Sequence, residues 1–376
     1  MNSQPEPDIG AANAAPMLTD IRRQPDVLRG LAARLNDIDA FCREHLVPGP
    51  DGRLIAFGSG DGWFAARSLA ADGITPASGL EILGDVGPQL TSADRAIAIS
   101  MSGNVDRTVE AAEVANNACG GAICLTNSEG GRLAELGLPN ISLQLTDIAP
   151  FLCGTSSFLA TRAMLGLFAG LNRGTPPDDL AAGLRATANV LEKALPDADS
   201  ISLKVAQACA GAPGLRYLSC GPAGLAIADY GAAKIVELSG TPVWSDDIEE
   251  FAHRQFWTMS EGEVVVLLPT SPAVAGIAAE SAKALRNMGV RSLTVAPQGM
   301  DTGGDWTFTW EATPGVDPLS MATAAMQFFG YHWAQATGFD PNLRMHLKND
   351  TKRFKTSRML TRRSLLAQAG NAKTAV

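Results

Sequence analysis

The sequence predicts an α/β protein of two tandem units, each a doubly wound parallel sheet in a three-layer αβα arrangement. Short apolar runs that end in small residues alternate with alanine-rich helical stretches, a pattern typical of parallel strands covered by helices on both faces. The pattern then begins again, with Gly60 and Gly221 161 residues apart and Ser102 and Ser271 169 residues apart. Near-constant offsets between matching motifs indicate two copies of one unit, and 376 residues suffice for both.

The first unit is predicted over residues 17–180, after a flexible N-terminus at residues 1–16. Residues 26–43 have apolar side chains on one face and are expected to form an amphipathic helix. Further helices are expected after two small-residue loops that follow strands, Gly58-Ser59-Gly60 and Ser100-Met101-Ser102-Gly103. The predicted strands of this unit are residues 53–57, 96–99, 122–126 and 140–145.

The second unit is predicted over residues 200–336 and repeats this order. One helix is expected to follow Cys220-Gly221-Pro222 and to end at Gly240, and another is expected to follow Pro269-Thr270-Ser271. Residues 172–200 are expected to link the two units. The predicted strands of the second unit are residues 215–219, 263–268 and 291–296.

Charge is distributed unevenly along the chain. Its 30 Lys and Arg and 39 Asp and Glu give a net charge of −9, yet the segment from Lys348 to Arg363, within a predicted tail at residues 337–376, holds seven basic residues and one acid. The rest of the chain therefore carries −15, so its body is not expected to bind nucleic acid. With 46% hydrophobic and 18% charged residues, the chain is expected to fold around a large core.

The absence of sorting signals and the cysteine pattern together indicate a cytoplasmic protein. Residues 1–16 lack the basic and apolar regions of a secretory signal. No apolar run reaches the roughly 18 residues that a membrane span needs, so no membrane partner is expected. The six cysteines show no paired spacing, and most lie in apolar runs, as is usual in a reducing compartment.

A hydroxyl-rich loop at the carboxyl end of a predicted strand is the first candidate binding site. Ser100-Met101-Ser102-Gly103-Asn104 offers two hydroxyls, a flexible glycine and the N–H groups of a helix that begins near Asp106, which together suit a phosphate-like anion. The missing GKS/T argues against a nucleotide P-loop. Thr155-Ser156-Ser157 is a second hydroxyl cluster that could complete this cradle. The alternatives are an ordinary capped loop and a helix cap.

Lys234 and Glu237 lie three residues apart on a predicted helix and so share one face. The usual alternative for such a pair is a solvated ion pair on the surface. Downstream, Glu250 and His253 have a spacing that metal ligands can have. No second histidine lies near them at ligand spacing, so neither a metal nor another cofactor is expected.

These motifs resemble those of the double sugar-isomerase (SIS) domain family, whose units are flavodoxin-like, and in particular the isomerase domain of glucosamine–fructose-6-phosphate aminotransferase. Ser100-Met101-Ser102-Gly103 is similar to the family's S-x-S-G phosphate loop. Residues 227–237 are similar to its I-A-x-x-G-A-x-K-x-x-E helix, with His253 sixteen residues after the glutamate. Residues 17–25 look like its M-x-x-E-I-x-x-Q-P opening, and residues 346–348 resemble its closing N-L-A-K.

The resemblance implies a sugar-phosphate enzyme that uses no cofactor. Glu237 would be the base that moves a proton between C1 and C2 of an open-chain sugar phosphate. His253 would assist ring opening from the neighbouring subunit, which implies a homodimer with shared sites, and Glu250 would support the site. Lys348 would be a catalytic residue on the tail, which closes over the sugar, where its cation can stabilise the enediolate or form an imine. The residues implied to bind the substrate are Ser59, Gly60, Ser100, Met101, Ser102, Asn104, Thr155, Ser156 and Lys234.

The chain departs from the family pattern at three loops. Asn104 stands where the family's S-x-S-G-E-T has glutamate, and Asp61 follows Gly58-Ser59-Gly60. Cys153-Gly154-Thr155-Ser156 lacks the lysine of the family's A-S-T-K. An added acid and a lost cation change the charge around the anion, so a sulfonate or an unusual sugar phosphate is an alternative ligand.

The reaction itself stays open at the level of sequence. Isomerisation, deamination of an amino-sugar phosphate and deglycation of a fructosamine phosphate share one proton transfer, and elimination from an N-acetylamino sugar phosphate also begins at a carboxylate base. Glutaminase activity is not expected, because the resemblance begins close to the first residue. The alternative of a different class is a non-catalytic sugar-phosphate sensor, against which the presence of both Glu237 and His253 argues.

Overall fold

The computed structural model describes residues 15–128, 130–150, 152–300, 302–344 and 350–361. Most of the predicted N-terminal segment, Lys348 and the end of the predicted tail lie outside the described residues. The β-strands are β1 (Leu54–Gly58), β2 (Ile74–Ser78), β3 (Arg95–Ile99), β4 (Ala122–Thr126), β5 (Asn140–Ser142), β6 (Leu215–Ser219), β7 (Val243–Asp247), β8 (Val264–Leu267), β9 (Arg291–Pro297) and β10 (Trp306–Trp310). The α-helices are α1 (Pro16–Arg22), α2 (Gln24–Ala33), α3 (Leu35–His45), α4 (Asp61–Arg67), α5 (Gly79–Leu83), α6 (Asp106–Ala118), α7 (Ser156–Asn172), α8 (Pro177–Cys209), α9 (Gly221–Ser239), α10 (Ile248–His253), α11 (Pro272–Arg286), α12 (Pro318–Ala336) and α13 (Thr351–Thr361).

Two parallel sheets of five strands each form the framework of the chain. The first has the order β2-β1-β3-β4-β5 and the second has the order β10-β9-β8-β6-β7, which is the same arrangement when the strands of each sheet are numbered along the chain. The predicted fold class, two tandem doubly wound parallel-sheet units, is therefore confirmed. In such sheets the chain changes direction beside the first strand, and the loops there border a crevice at the carboxyl edge.

The apolar runs located the central strands but not three strands at the sheet edges. Every residue of β1 and of β6 is buried, whereas β2, β7 and β10 each expose part of their length. An edge strand has a neighbour on one side only, so it does not need the continuous apolar sequence of a central parallel strand. The β7 sequence VWSDD, for example, contains no apolar run.

Two predictions about helices need correction. Residues 26–43 do not form one helix, because α2 and α3 are separated at Arg34. Residues 172–200, expected as a link, form most of the 33-residue helix α8, which packs against α2 and α12. Pro177 stands in the first turn of α8, where proline is well tolerated, and therefore marks a helix start rather than a break.

One continuous apolar core joins the two units and positions the candidate site. Phe158 of α7 stacks on Tyr230 of α9 with ring centroids 3.7 Å apart. Arg162 of α7 is buried and forms an ion pair with Asp317 at the start of α12. Helix α7 of the first unit is thereby held against α9 and the start of α12 in the second unit. None of the helices within the described residues is long and apolar enough to cross a membrane.

Candidate active site

A polar cavity of about 510 Å³ opens at the carboxyl edge of the first sheet, beside the loops that follow β3 and β4. Its walls combine hydroxyl, amide and cationic groups and the carboxylates of Asp20 and Asp147 with a few apolar side chains. The residues that give the cavity its chemistry include Arg23, Met101, Ser102, Asn127, Ser157 and Arg344.

The Ser100–Asn104 loop is held open by its own hydrogen bonds. Asn104 Nδ2 donates to the carbonyl oxygen of Ser102 over 2.7 Å, and Asn104 Oδ1 accepts from the N–H of Arg132. Gly103 has a φ of 64°, and a Cβ there would lie 3.1 Å from the Cα of Gly131, so a side chain would strain this turn. The Asn104 side chain thus braces the loop, although it was predicted to bind the substrate.

The hydroxyl of Ser100 is buried without a hydrogen-bond partner among the described residues. Ser100 is 6% exposed, and its Oγ belongs to the few buried side-chain atoms that lack a partner. Leaving a buried hydroxyl unpaired costs roughly 1–3 kcal/mol. An anion bound in the loop would remove this cost by accepting a hydrogen bond from the hydroxyl.

The second hydroxyl cluster is held by Asp20, a residue that sequence reasoning did not single out. The Asp20 carboxylate accepts hydrogen bonds from the Thr155 hydroxyl and, over 2.9 Å each, from the N–H and hydroxyl of Ser156. Arg23 forms an ion pair with Asp20 over 2.6 Å and also donates to Ser156 Oγ. Thr155 stands at the N-cap position of α7, but its side chain makes no capping hydrogen bond, so the cluster is not a helix cap in its own right. The Asp20 carboxylate holds Thr155 and Ser156 and occupies this helix N-terminus. Asp20 could have been identified from its position, because it occupies the acidic place in the motif at residues 17–25.

Lys234 and Glu237 do not form a solvated surface pair, because the Lys234 side chain is only 1% exposed. Its Nζ lies 2.7 Å from Glu237 Oε2 and 3.1 Å from the carboxylate of Asp61 at the start of α4. Burial works against the lysine charge, but the two carboxylates outweigh it and raise the pKa of Lys234 well above its usual value. Burial also raises the pKa of Asp61, although Lys234 opposes this shift.

Tyr230 connects this charged group to the loop before α7. Its hydroxyl donates to the carbonyl oxygen of Gly154 over 2.7 Å and accepts from Gln327 of α12 over 2.9 Å. The Lys234 ammonium lies 5.0 Å from the centre of the Tyr230 ring, a cation–π distance. A Cβ at Gly154 would collide with the Asp61 carboxylate, so the glycine makes room for Asp61.

Arg344 brings a cation from the C-terminal segment into the cavity. Its Nε lies 3.1 Å from Glu237 Oε1 and donates to the carbonyl oxygen of Leu152, also over 3.1 Å. The two oxygens of Glu237 therefore contact different cations, Lys234 and Arg344. Sequence reasoning named Lys348 in this segment and missed Arg344, which lies four residues earlier and for which no local pattern was available.

Cys153 also lines the cavity but is not suited to act as a nucleophile. Burial raises the pKa of its thiol to about 12, so the thiolate is not populated near neutral pH. All six cysteines are free. Within the residues that the structure describes, no group of three or more His, Cys, Asp and Glu side chains could hold a metal ion.

The remaining predicted residues are placed apart from the cavity or lie outside the described residues. Ser59 and Gly60 precede α4, where Gly60 has a φ of 55° at the helix start. His253 ends α10 with a side chain that is 68% exposed and 3.6 Å from Glu249, and Glu250 is exposed on the same helix. Neither His253 nor Glu250 lines the cavity within this one chain. Lys348 lies outside the described residues.

Several solved structures similar to this chain are named as enzymes of sugar phosphates. The C-terminal domain of glucosamine–fructose-6-phosphate aminotransferase from Francisella tularensis matches with a TM-score of 0.73 at 14% identity, over 88% of this chain and 99% of that one. Tagatose-6-phosphate ketose/aldose isomerase from Escherichia coli matches with a TM-score of 0.70 at 19% identity, over 91% and 97%. Glucosamine-6-phosphate deaminase from Thermotoga maritima matches with a TM-score of 0.66 at 19% identity, over 88% and 98%.

The fold implied by the motifs is thus confirmed by structures that share less than a fifth of their residues with this chain. No family model matches the sequence, and no curated protein does. These structural matches therefore support the tandem sugar-isomerase fold alone. The chemistry depends on the side chains of this chain.

Proposed function

We propose that this chain, which has the fold of tandem sugar-isomerase domains, is a sugar-phosphate aldose–ketose isomerase or deaminating isomerase. The observation that carries this proposal is the position of Glu237, whose carboxylate contacts buried Lys234 on one oxygen and the cavity residue Arg344 on the other. A carboxylate placed in this way beside a polar cavity suits proton transfer between two adjacent carbons of a sugar.

The phosphate of the substrate would bind at the loop after β3. Ser100 supplies an unpartnered hydroxyl, and Ser102, two residues later, lines the cavity. The α6 N-terminus follows this loop, and no side chain caps it. Arg344 supplies the positive charge that the sequence lacks at the expected lysine position.

Glu237 would remove the proton from C2 of the open-chain sugar and return it to C1, or carry out the reverse transfer. Its side chain is 26% exposed and contacts Arg344, which lines the cavity. Lys234 is held in its charged form and would stabilise the negative charge that develops on the enediol or enolamine oxygen. No step in this sequence requires a cofactor.

We infer an amino-sugar phosphate or an amine adduct as the substrate class. The carboxylates of Asp61 and Glu237 offer hydrogen-bond acceptors to a substrate nitrogen that carries a proton, with Lys234 and Arg344 balancing their charge. Two further parts belong to the proposal: His253 would reach the site of a second copy in a homodimer, and Lys348 would close over the sugar. The free cysteines fit a cytoplasmic enzyme.

The proton transfer can be tested without knowing the physiological substrate. Hexose and hexosamine 6-phosphates are incubated with the protein in deuterium oxide, and deuterium at C2 is measured by mass spectrometry. We expect Glu237→Gln to slow the exchange by about 10²–10⁴-fold while sugar-phosphate binding stays measurable. Glu280→Gln, an exposed glutamate of α11, is the matched control and should exchange normally. Release of ammonia or a free amine would identify the deaminating reaction.

One observation favours a second candidate, a non-catalytic sugar-phosphate sensor. Both oxygens of Glu237 are in contact with cations, and a base tied by two ion pairs is less able to accept a proton. A sensor would bind sugar phosphates with the same loop, but none of the panel would exchange its C2 proton. Binding without exchange in the unmodified protein would therefore support the sensor and exclude the isomerase.

A further inference from the structure

A second cavity lies in the second unit, apart from the candidate active site. Its volume is about 250 Å³, and it is bounded by the carboxyl ends of β6, β8, β9 and β10 and by the first turns of α9 and α12. The order of the second sheet places the change of direction between β6 and β8, which is where open α/β sheets bind ligands. The position in the fold therefore corresponds to that of the polar cavity in the first unit.

The chemistry of this second cavity differs from that of the first, because its hydroxyl groups already have partners. Ser219 Oγ donates to the carbonyl oxygen of Leu268 over 2.7 Å, and Thr270 Oγ1 donates to the carbonyl oxygen of Cys220 over 3.4 Å. The next hydroxyl, that of Ser271, accepts from the N–H of Val274 and caps α11. Among the described residues that line the cavity, none has a charged side chain. A phosphate would therefore lose its hydration here without gaining comparable hydrogen bonds.

The lining favours a flat, neutral molecule. Trp310 closes one side, Met300 lies at another, and Pro269, Pro297 and Pro318 present rigid apolar faces. Aromatic rings and methionine sulfur both make favourable contacts with a bound ring. An apolar cavity of about 150 Å³ is already large enough to hold benzene, and this cavity is larger.

We propose that the second cavity is a binding site for a small neutral aromatic molecule, of about the size of a one- or two-ring compound. The site is separate from the sugar-phosphate site and does not depend on the function proposed above. Its walls include the first turns of α9 and α12. Later turns of the same helices carry Lys234 and Gln327, so a bound ring would contact the two helices that build the candidate active site.

Indole and toluene are suitable probes, with calorimetry and thermal unfolding of the full chain as measurements. We expect indole to bind saturably at one site and to raise the unfolding temperature, without being displaced by fructose 6-phosphate. Ala223→Leu, which fills the cavity from α9, should weaken indole binding at least tenfold. Ala273→Leu is the matched control, because this alanine also follows the proline in the first turn of a helix but is exposed, and binding should be unchanged.

A direct readout keeps the proposal testable if Ala223→Leu fails to fold. In protein labelled with ¹³C at the methionine methyl groups, indole should shift the Met300 resonance, which can be assigned with Met300→Leu. Failure of both indole and toluene to bind up to their solubility limits would overturn the proposal. So would equal binding to folded Ala223→Leu, competition by fructose 6-phosphate, or an unperturbed Met300 signal. Each of these outcomes is independent of catalytic turnover.

Discussion

The ammonium group of Lys234 lies 2.7 Å from Oε2 of Glu237, one turn along α9, and the lysine side chain is almost completely buried. The same ammonium also contacts Asp61 at the start of α4. One buried cation thus joins a helix of the second unit to a loop of the first and compensates two carboxylates. Its removal is therefore expected to affect both stability and the position of the proposed base.

Lys234→Met should lower the free energy of unfolding by about 3 kcal/mol, because it removes the buried cation between Asp61 and Glu237 and leaves only Arg344 to pair with Glu237. Urea denaturation measures this loss. The double variant Lys234→Met/Asp61→Asn should recover part of it, since only one carboxylate then remains. Lys283→Met, at an exposed position of α11, should change stability by less than about 0.5 kcal/mol. A double variant as unstable as the single one would show that the ion pair with Asp61 is not what stabilises this region.

The pH dependence of this contribution follows from the raised pKa of Lys234. A lysine whose pKa is higher in the folded state stabilises the fold fully below its unfolded pKa, and the contribution is lost only as the pH rises through the higher folded value. The stability difference between the unmodified protein and Lys234→Met should therefore stay constant from pH 7 to pH 10. A decrease within this range would contradict the raised pKa.

The opposite pH dependence of stability is expected for Asp94, which lies just before β3. Burial alone would raise the pKa of Asp94, but hydrogen bonds from the side chain and backbone of Arg53 and from Thr91 lower it to about 2. Asp94→Asn should therefore cost about 2 kcal/mol at neutral pH. The stability difference between the unmodified protein and Asp94→Asn should shrink as the pH falls below 4 towards 2, as measured by urea denaturation. Asp26→Asn, at an exposed position, is the matched control.

The sequence was sufficient to predict the fold because the signals of the central strands are local. Strands β1 and β4 are buried on both faces and almost entirely apolar, and the small-residue loops that follow the central strands mark the carboxyl edge. Strand β6 is also fully buried, although it includes Arg216, which pairs with Glu263. Edge strands such as β7 carry no such signal. Helix α8 was not predicted, because two prolines stand at its start and its buried face is rich in alanine. Tertiary packing stabilises this helix.

The candidate site was predictable only where its residues lie within one motif. Ser100 and Ser102 share a loop, and Lys234 and Glu237 share a helix face, so spacing alone associates each pair. Asp20 reaches Thr155 and Ser156 across about 135 residues, and Arg344 reaches Glu237 across more than a hundred. Contacts of this range depend on how the two units pack, which a single sequence without an alignment does not reveal.

Ser100→Ala and Ser156→Ala should have opposite effects, although both remove one buried serine hydroxyl. Ser100→Ala removes an unpartnered hydroxyl, so stability should be unchanged or slightly higher, while the affinity for glucosamine 6-phosphate should fall about tenfold or more. Ser156→Ala breaks hydrogen bonds with Asp20 and Arg23, so it should cost about 1–3 kcal/mol and leave the affinity nearly unchanged. Calorimetry and urea denaturation of the two variants provide the comparison. The reverse assignment of effects would move the anion site from the loop after β3 to the start of α7.

Arg344→Met should weaken sugar-phosphate binding, because it removes the cation that the C-terminal segment places in the cavity. A hydrogen bond from a charged donor contributes about 1.5–3 kcal/mol, which corresponds to a loss of affinity of about 10-fold to 150-fold. The loss should be larger for phosphorylated than for unphosphorylated sugars, as measured by calorimetry. Arg22→Met removes an exposed arginine that pairs with Asp199 and does not line the cavity, so its affinity should match the unmodified protein. Equal losses for both sugar types would instead indicate that Arg344 acts on the proposed base, Glu237, rather than on the phosphate.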